Sequence, residues 1–261
     1  MKEEYSSMWG RVFMVAALFV AVVPAHGQRG GRAGEQGGAP RTAQADAPFD
    51  LTGYWVSVIT QNWRLRMVVP GRGDYIGIPL NEASKKIADA WDPAKDEAAG
   101  NQCKGYSAAI IMTQPERLHV TWQDANTLRM EIDAGTQTRV LHFGNWKSPG
   151  GPATWQGDSA ATWSARRQLA DPSGPKARGL KVITTNMRPG YLRKNGVPYS
   201  ATAKLTEYFD VYQEPNNEAW MIATTVVEDP VYLDRPLILS AQFKKQADAT
   251  GWDPTPCSTK W

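Results

Sequence analysis

The chain is poor in the residues that hold metals and phosphates. Its 261 residues include two cysteines and three histidines. His26 lies near the N-terminus, which leaves His119 and His142, far apart in sequence and without a partner histidine. A zinc site needs three or more protein ligands at short characteristic spacings. The oxygen-rich pattern of a calcium loop is missing, as are a Gly-rich phosphate loop, a Ser–His–Asp order and a nucleotide fingerprint. No metal and no cofactor is therefore expected. Charge of one sign is also lacking. Lys and Arg number 29 against 26 Asp and Glu, a net charge of +3. That balance predicts neither a nucleic acid nor an anionic membrane as partner. No apolar run reaches the about 20 residues that cross a bilayer, so no transmembrane segment is expected after leader cleavage.

One shorter apolar run is present. Residues 12–23 are uninterrupted apolar side chains between Arg11 and the stretch Pro24-Ala25-His26-Gly27-Gln28. This is the length of a secretory signal core, with Ala25 and Gly27 as the small residues before a cut at Gln28. Residues 1–27 are read as a signal peptide, from Met1 or, with a cleaner charge pattern, from Met8. A periplasmic or secreted location follows. No Cys succeeds the run, so a lipid anchor is not expected. Residues 28–48 hold no aliphatic side chain larger than Ala. They cannot bury enough apolar surface to offset chain entropy and are read as a disordered linker. Residues 49–261 form a single domain in this reading. In an oxidising compartment Cys103 and Cys257 are most simply one disulfide, pinning the tail after Trp252. A catalytic thiol is the alternative, with no His near either Cys in sequence.

The dominant period is two, which means strands. Leu118, Val120 and Trp122 alternate with polar residues, Asp124-Ala125-Asn126 turns the chain, and Leu128, Met130 and Ile132 alternate again. A second hairpin turns at Glu214-Pro215-Asn216-Asn217 between strands 205–212 and 220–227. Further strands are expected at 53–59, 63–69, 137–143, 160–166, 181–187 and 237–243, ten in all. One helix is expected from Glu82 to Trp91 with Asn81 as its cap, followed by a restart at Asp92-Pro93. Long crossovers are absent, so the sheet is expected to be antiparallel throughout. So many strands must curl or close to protect their edges. The fold class is all-β with minor α, a barrel or curved clam with one flanking helix.

Glu207 is the first candidate for chemistry. Period two places it on the apolar side of its strand with Leu205, Phe209 and Val211. A carboxylate there must be paired, hydrogen-bonded or protonated. A raised pKa would suit a general acid or base with His119 or His142 as partner. The structural alternative is an ion pair with Arg139, Arg188 or Arg235. Asp229, before Pro230, suits a carboxylate that accepts backbone N–H groups in a turn. The segment 188–200 carries Arg188, Tyr191, Arg193, Lys194 and Tyr199 and reads as a loop able to close over an anionic or aromatic ligand. Eleven tryptophans, all but Trp9 beyond the leader, suit either a ligand cavity or a well-filled core. Trp55, Trp122, Trp163 and Tyr208 join Arg139, Arg188, Tyr191 and Tyr199 as candidate ligand contacts.

Leu51-Thr52-Gly53-Tyr54-Trp55 resembles the Gly-x-Trp first strand of calycins, the lipocalins and avidin-like barrels. The resemblance implies that Trp55 closes one barrel end beside a basic residue of a late strand, Arg235 or Lys244. From Cys103 to Lys245 the chain is similar to a functionally uncharacterised family of secreted bacterial proteins. The matching residues are Trp155-Gln156-Gly157-Asp158, Ala161-Thr162-Trp163, Gly196-Val197-Pro198-Tyr199-Ser200, Leu205-Thr206-Glu207-Tyr208-Phe209 and Val227-Glu228-Asp229-Pro230. This implies a secreted β-rich domain and no particular activity. Here Ser159 follows the Trp-Gln-Gly-Asp segment, where the family usually places a Ser before it. The first functional expectation is a lipocalin-like barrel that holds a small hydrophobic or amphipathic ligand without catalysis. The alternatives are a hydrolase or isomerase using Glu207, and an envelope interaction module.

Overall fold

The computed structural model describes residues 41–166 and 177–260. The expected signal peptide and most of the expected linker lie outside these residues. Nine strands close into one barrel. They are β1 (Gly53–Val58), β2 (Arg117–Asp124), β3 (Thr127–Ile132), β4 (Gln137–Phe143), β5 (Asp158–Arg166), β6 (Ala177–Thr185), β9 (Lys204–Gln213), β10 (Ala219–Glu228) and β11 (Leu237–Gln246). A separate hairpin pairs β7 (Gly190–Arg193) with β8 (Val197–Tyr199). The short helices are α1 (Trp63–Met67), α2 (Glu82–Asp89), α3 (Pro93–Ala98) and α4 (Ala108–Ile111). The expected all-β barrel is thus present, closed rather than open.

Two expectations are corrected together. The segment 63–69 alternates apolar and basic residues yet forms α1, a single turn. Strand β1 ends at Val58, and Asn62 then enters α1 in the left-handed region (φ 52°), a conformation that does not start a strand. Removing that strand leaves nine in the ring. An odd ring of strands cannot alternate direction all the way round, so one neighbouring pair must be parallel. That pair is β4 with β5, Leu141 opposite Ser159. The long connection 144–157 makes it possible by carrying the chain back to the starting end. It enters β5 at Gly157, where φ is +60° and a Cβ would stand 2.4 Å from the Thr185 carbonyl oxygen.

Each strand turns alternate side chains inward. Trp55, Leu118, Met130, Leu141, Phe209, Ala223 and Phe243 meet in one buried cluster that occupies the barrel. Ile111 and Met112 enter the same cluster from α4 and the residue after it. At that end a second cluster joins Ala88, Leu192, Val197 and Tyr199 to Leu205, Val227 and Leu237 of the strands. Helices α2 and α4 and the β7–β8 hairpin therefore cap one end, called the upper end below.

The opposite end is closed by residues the sequence reading assigned to the linker. Ala43 is buried, its N–H donates to Asn126 Oδ1 at 2.8 Å, and its carbonyl accepts from Trp163 Nε1 at 2.8 Å. Phe49 meets the Trp163 ring edge-on with centroids 5.6 Å apart. Backbone hydrogen bonds and a single alanine hold this segment, which a search for large apolar residues overlooks. The described residues, from Arg41 to Lys260, belong to one compact unit.

The cap of α2 is as expected, with the Asn81 side chain accepting from the Ser84 N–H. Asp92 and Pro93 start α3 in the same manner. Cys103 and Cys257 form the disulfide, 154 residues apart in sequence. The tail is further tied by the Thr255 N–H to the Asp133 carbonyl at 3.0 Å. Replacing both cysteines by Ser is expected to cost about 2–5 kcal/mol in denaturant unfolding. Limited proteolysis is expected to nick that variant first near the freed C-terminal tail.

Candidate functional site

The lower part of the barrel interior is apolar; its upper part carries charge. Arg139 of β4 and Glu207 of β9 both turn inward, and neither side chain reaches solvent. Arg139 Nη1 donates to Glu207 Oε1 at 2.9 Å, and Nη2 donates to Oε2 in a second, shorter bond. Nη2 also lies 3.4 Å from Thr184 Oγ1, which shares a 2.7 Å hydrogen bond with Ser159. This is a two-pronged guanidinium–carboxylate pair in a dry environment. Of the three arginines the sequence offered for Glu207, the fold delivers Arg139.

The geometry separates Glu207 from both histidines. His119 lies on the outer face of β2, its ring stacked on Tyr54 at 4.2 Å and its Nδ1 3.1 Å from Glu131 Oε2. His142 lies on the outer face of β4 and stacks on Trp146 at 4.4 Å. Arg139 engages both oxygens of Glu207, so the expected acid–base partnership is not assembled. Among the described residues, no three His, Cys, Asp or Glu side chains are grouped to hold a metal ion.

The other sequence candidates are scattered. Trp55 is buried, and its Nε1 donates to the Leu51 carbonyl at 2.9 Å. The basic residue over its ring is Lys245, 5.4 Å from the centroid, in place of Arg235 or Lys244. Trp122 and Trp163 pack against Phe143 at the lower end. Tyr208 faces outward beneath Lys181, whose Nζ is 6.0 Å from the ring centroid. Arg188 lies over Trp155, 4.1 Å from the ring centroid.

The expected mouth loop is a packed hairpin. Tyr191 and Tyr199 are buried, and the Tyr191 hydroxyl donates to Asp96, itself paired with Lys104 at 2.6 Å. Its turn is possible because Gly196 has φ +87° and lies against Trp91, where a Cβ would be only 2.3 Å from the indole carbons. Asp229 accepts from the Ser200 N–H at 2.6 Å and the Val231 N–H at 3.0 Å, the turn role its sequence context suggested.

A second charged group, absent from the sequence reading apart from Lys194, lies above Arg139. Glu116 is buried and neither of its oxygens has a hydrogen-bond partner. Burial first, then the neighbouring Asp133, pushes its carboxyl well above the usual glutamate range. Arg66, Arg139 and Lys194 act in the opposite direction. Arg66 of α1 donates from Nε to the Thr113 carbonyl at 2.8 Å, while Nη1 and Nη2 are buried without a partner. Lys194 sits over the Tyr106 ring at 4.1 Å, and burial lowers its pKa to about 8 against the pull of Glu116. Extending the inward parity of Leu118 back by two residues would have placed Glu116 inside.

Arg66 and Lys194 also line a cleft of about 250 Å³ at the upper rim. Its walls come from α1, the turn after α4, the β7–β8 turn and the start of β11. Leu65, Val69, Leu192 and Leu239 give it an apolar surface, and Gln61, Gln114 and Arg193 supply polar groups. No family model matches the chain, and no match was found among curated proteins or solved structures.

Breaking the inner pair one side at a time, with Arg139→Met or Glu207→Gln, is expected to cost about 3–5 kcal/mol in denaturant unfolding. The double variant Arg139→Met/Glu207→Leu is expected to cost far less than the sum of the two, because no unpaired charge is left inside. Glu116 predicts a pH effect of definite sign. Its native pKa is raised, so its contribution is fully favourable below the ordinary glutamate value of 4.5 and is lost as pH rises. Glu116→Gln should therefore be more stable than the parent at pH 7, with the difference closing toward pH 4, as read by thermal melts across that range.

Proposed function

We propose that this is an exported barrel protein that binds a small amphipathic anion in the cleft between α1 and β11. The observation that carries the reading is that apolar and cationic side chains line the same cleft. A few convergent polar groups in a mostly apolar concavity are the usual make-up of a small-molecule site. The volume of about 250 Å³ lies just below the range of drug-sized ligands, about 300–1,000 Å³, and favours a short-chain molecule. The apolar part of such a ligand would lie against Leu65, Val69 and Leu239. Its anionic end would face Lys194 and Arg193, where a charge-assisted bond is stronger than one between neutral groups.

Export rests on the apolar run 12–23 with its small-residue cut site, and the Cys103–Cys257 disulfide suits an oxidising compartment. The calycin likeness belongs to this proposal as well. A buried first-strand Trp beside a late-strand cation, Trp55 with Lys245, is the arrangement it implies. The ligand site proposed here is at the rim, because the barrel axis is occupied by the core cluster.

Titration calorimetry with octanoate and octanol tests the reading. Saturable octanoate binding is expected, about tenfold tighter than that of the alcohol. Val69→Trp should abolish binding by filling the cleft, and Lys194→Met should erase the preference for the carboxylate. Absence of binding by either ligand, or binding indifferent to Val69→Trp, would overturn it.

A further inference from the structure

Helix α1 buries none of its residues. Trp63 and Met67, one helical repeat apart, share a face and are 66% and 57% exposed, and Val68 beside them is 59% exposed. Leu65 turns the other way and lines the cleft. Across the cleft, Ile238 of β11 is 66% exposed. Ile76 is 64% exposed, and its carbonyl accepts from Arg193 of the cleft wall at 2.9 Å. Ile238 lines the cleft itself, while Trp63, Met67 and Val68 belong to or adjoin α1, whose Leu65 and Arg66 line it. Isolated exposed apolar residues are ordinary, but several gathered on one short element mark a contact surface.

Positive charge predominates around this group. Between Gln61 and Gly73 the chain carries Arg64, Arg66 and Arg72 and no acidic residue. Arg193 and Lys194 add to it from the cleft wall. The nearest acid in sequence, Asp74, is 3.1 Å from Arg64 and offsets one of these charges. The overall net charge of +3 hides this local concentration.

We propose that α1 and the cleft rim dock onto an anionic phospholipid surface. Trp63, Met67, Val68 and Ile238 would enter the headgroup boundary, and Arg64 and Arg72 would meet lipid phosphates. Tryptophan suits that boundary because its ring is apolar and its N–H polar. Arginine suits it because its stem lies along apolar surface while its head forks onto phosphate. A short element with apolar residues on one side and arginines flanking them lies in a bilayer interface without crossing it. Among the described residues no helix is long and apolar enough to span a membrane. Charge complementarity selects a lipid surface carrying net negative charge over a neutral one. The inference stands apart from the ligand proposed for the cleft, since docking requires only the rim.

Co-sedimentation with vesicles tests it, using residues Pro40–Trp261, which form one compact unit with their own core. That choice removes the N-terminal apolar run from the measurement. Binding is expected to vesicles containing phosphatidylglycerol, to weaken in high salt, and to be much weaker on pure phosphatidylcholine. Trp63→Ser/Met67→Ser should lower the partition coefficient about tenfold or more while leaving the melting temperature in place, because both side chains are exposed. Failure to sediment with either vesicle, or equal binding by the double variant, overturns the proposal. So does a dimer in sedimentation velocity that the double variant dissolves, because the surface would then be an interface between copies of this chain.

Discussion

Closure of a nine-stranded ring is the constraint on which the rest of the structure depends. An odd number of strands forces the parallel pair β4–β5, and that pair forces the long connection 144–157. Closure is also uneven. Strand β11 pairs with β10 along Leu237 to Lys244, whereas β1 reaches it only from Gln242 to Gln246. The upper stretch of β11 therefore has a strand on one side alone. An open edge of this kind must be covered or blunted. Here the chain after β1 runs alongside it: Gln61 Nε2 donates to the Ser240 carbonyl at 3.1 Å, and Thr60 Oγ1 to Gln242 Oε1 at 2.8 Å. Side chains fill such a gap less closely than a strand does, and the cleft is what is left.

The same end of the barrel gathers the interior charges. Below, the lumen is filled by Trp55, Phe209, Phe243 and their neighbours, and needs no polar partner. Above, Arg139 and Glu207 pair through two hydrogen bonds, while Arg139 Nε is buried without one. Such a pair adds little net stability over apolar residues of similar volume, but losing one member is costly. Glu116 and Arg66 are less completely matched. The carboxyl of Glu116 and two nitrogens of Arg66 are buried without hydrogen bonds, and burial drives Glu116 and Lys194 toward their neutral forms. A fold selected for stability alone would replace this group with apolar side chains. Perturbed titratable groups beside a cleft are a recognised mark of a functional region, and here they lie beneath α1 and beside the proposed ligand.

The barrel was legible because period two survives wherever a strand has one buried face. Nine of the ten expected strands are in the ring, and Glu207 was placed inside it by parity with Leu205 and Phe209. The segment 63–69 misled for a physical reason. Its alternation of Trp63, Leu65, Met67 and Val69 with two arginines satisfies the strand pattern, but Asn62 directly before it is in the left-handed region and the chain curls instead. The hairpin 190–199 was hidden because its stability comes from partners distant in sequence, Trp91, Asp96 and Lys104. The contact of residues 41–48 with the lower end depends on backbone groups, which leave no trace in side-chain composition. Tertiary pairing chose among the arginines open to Glu207, and only the register of β4, β5, β6 and β9 decides that choice.

Glu116 connects the closure problem with the exposed face of α1. Its carboxyl lies at the top of the lumen, where water is excluded, and the neighbouring Asp133 opposes its ionisation. Positive charge brought from above eases that burial, and Arg66 brings it while anchoring α1 through the Thr113 carbonyl. A helix of five residues has few faces to share out. With Arg66 committed to the interior and Leu65 to the cleft, Trp63 and Met67 are left on the outside. Water is a poor environment for that face, and a strongly charged replacement would serve solubility better. Keeping apolar residues there while surrounding them with arginines suits a surface that is apolar at depth and anionic at its boundary. The same one-turn helix thereby forms a wall of the cleft and supplies the docking face.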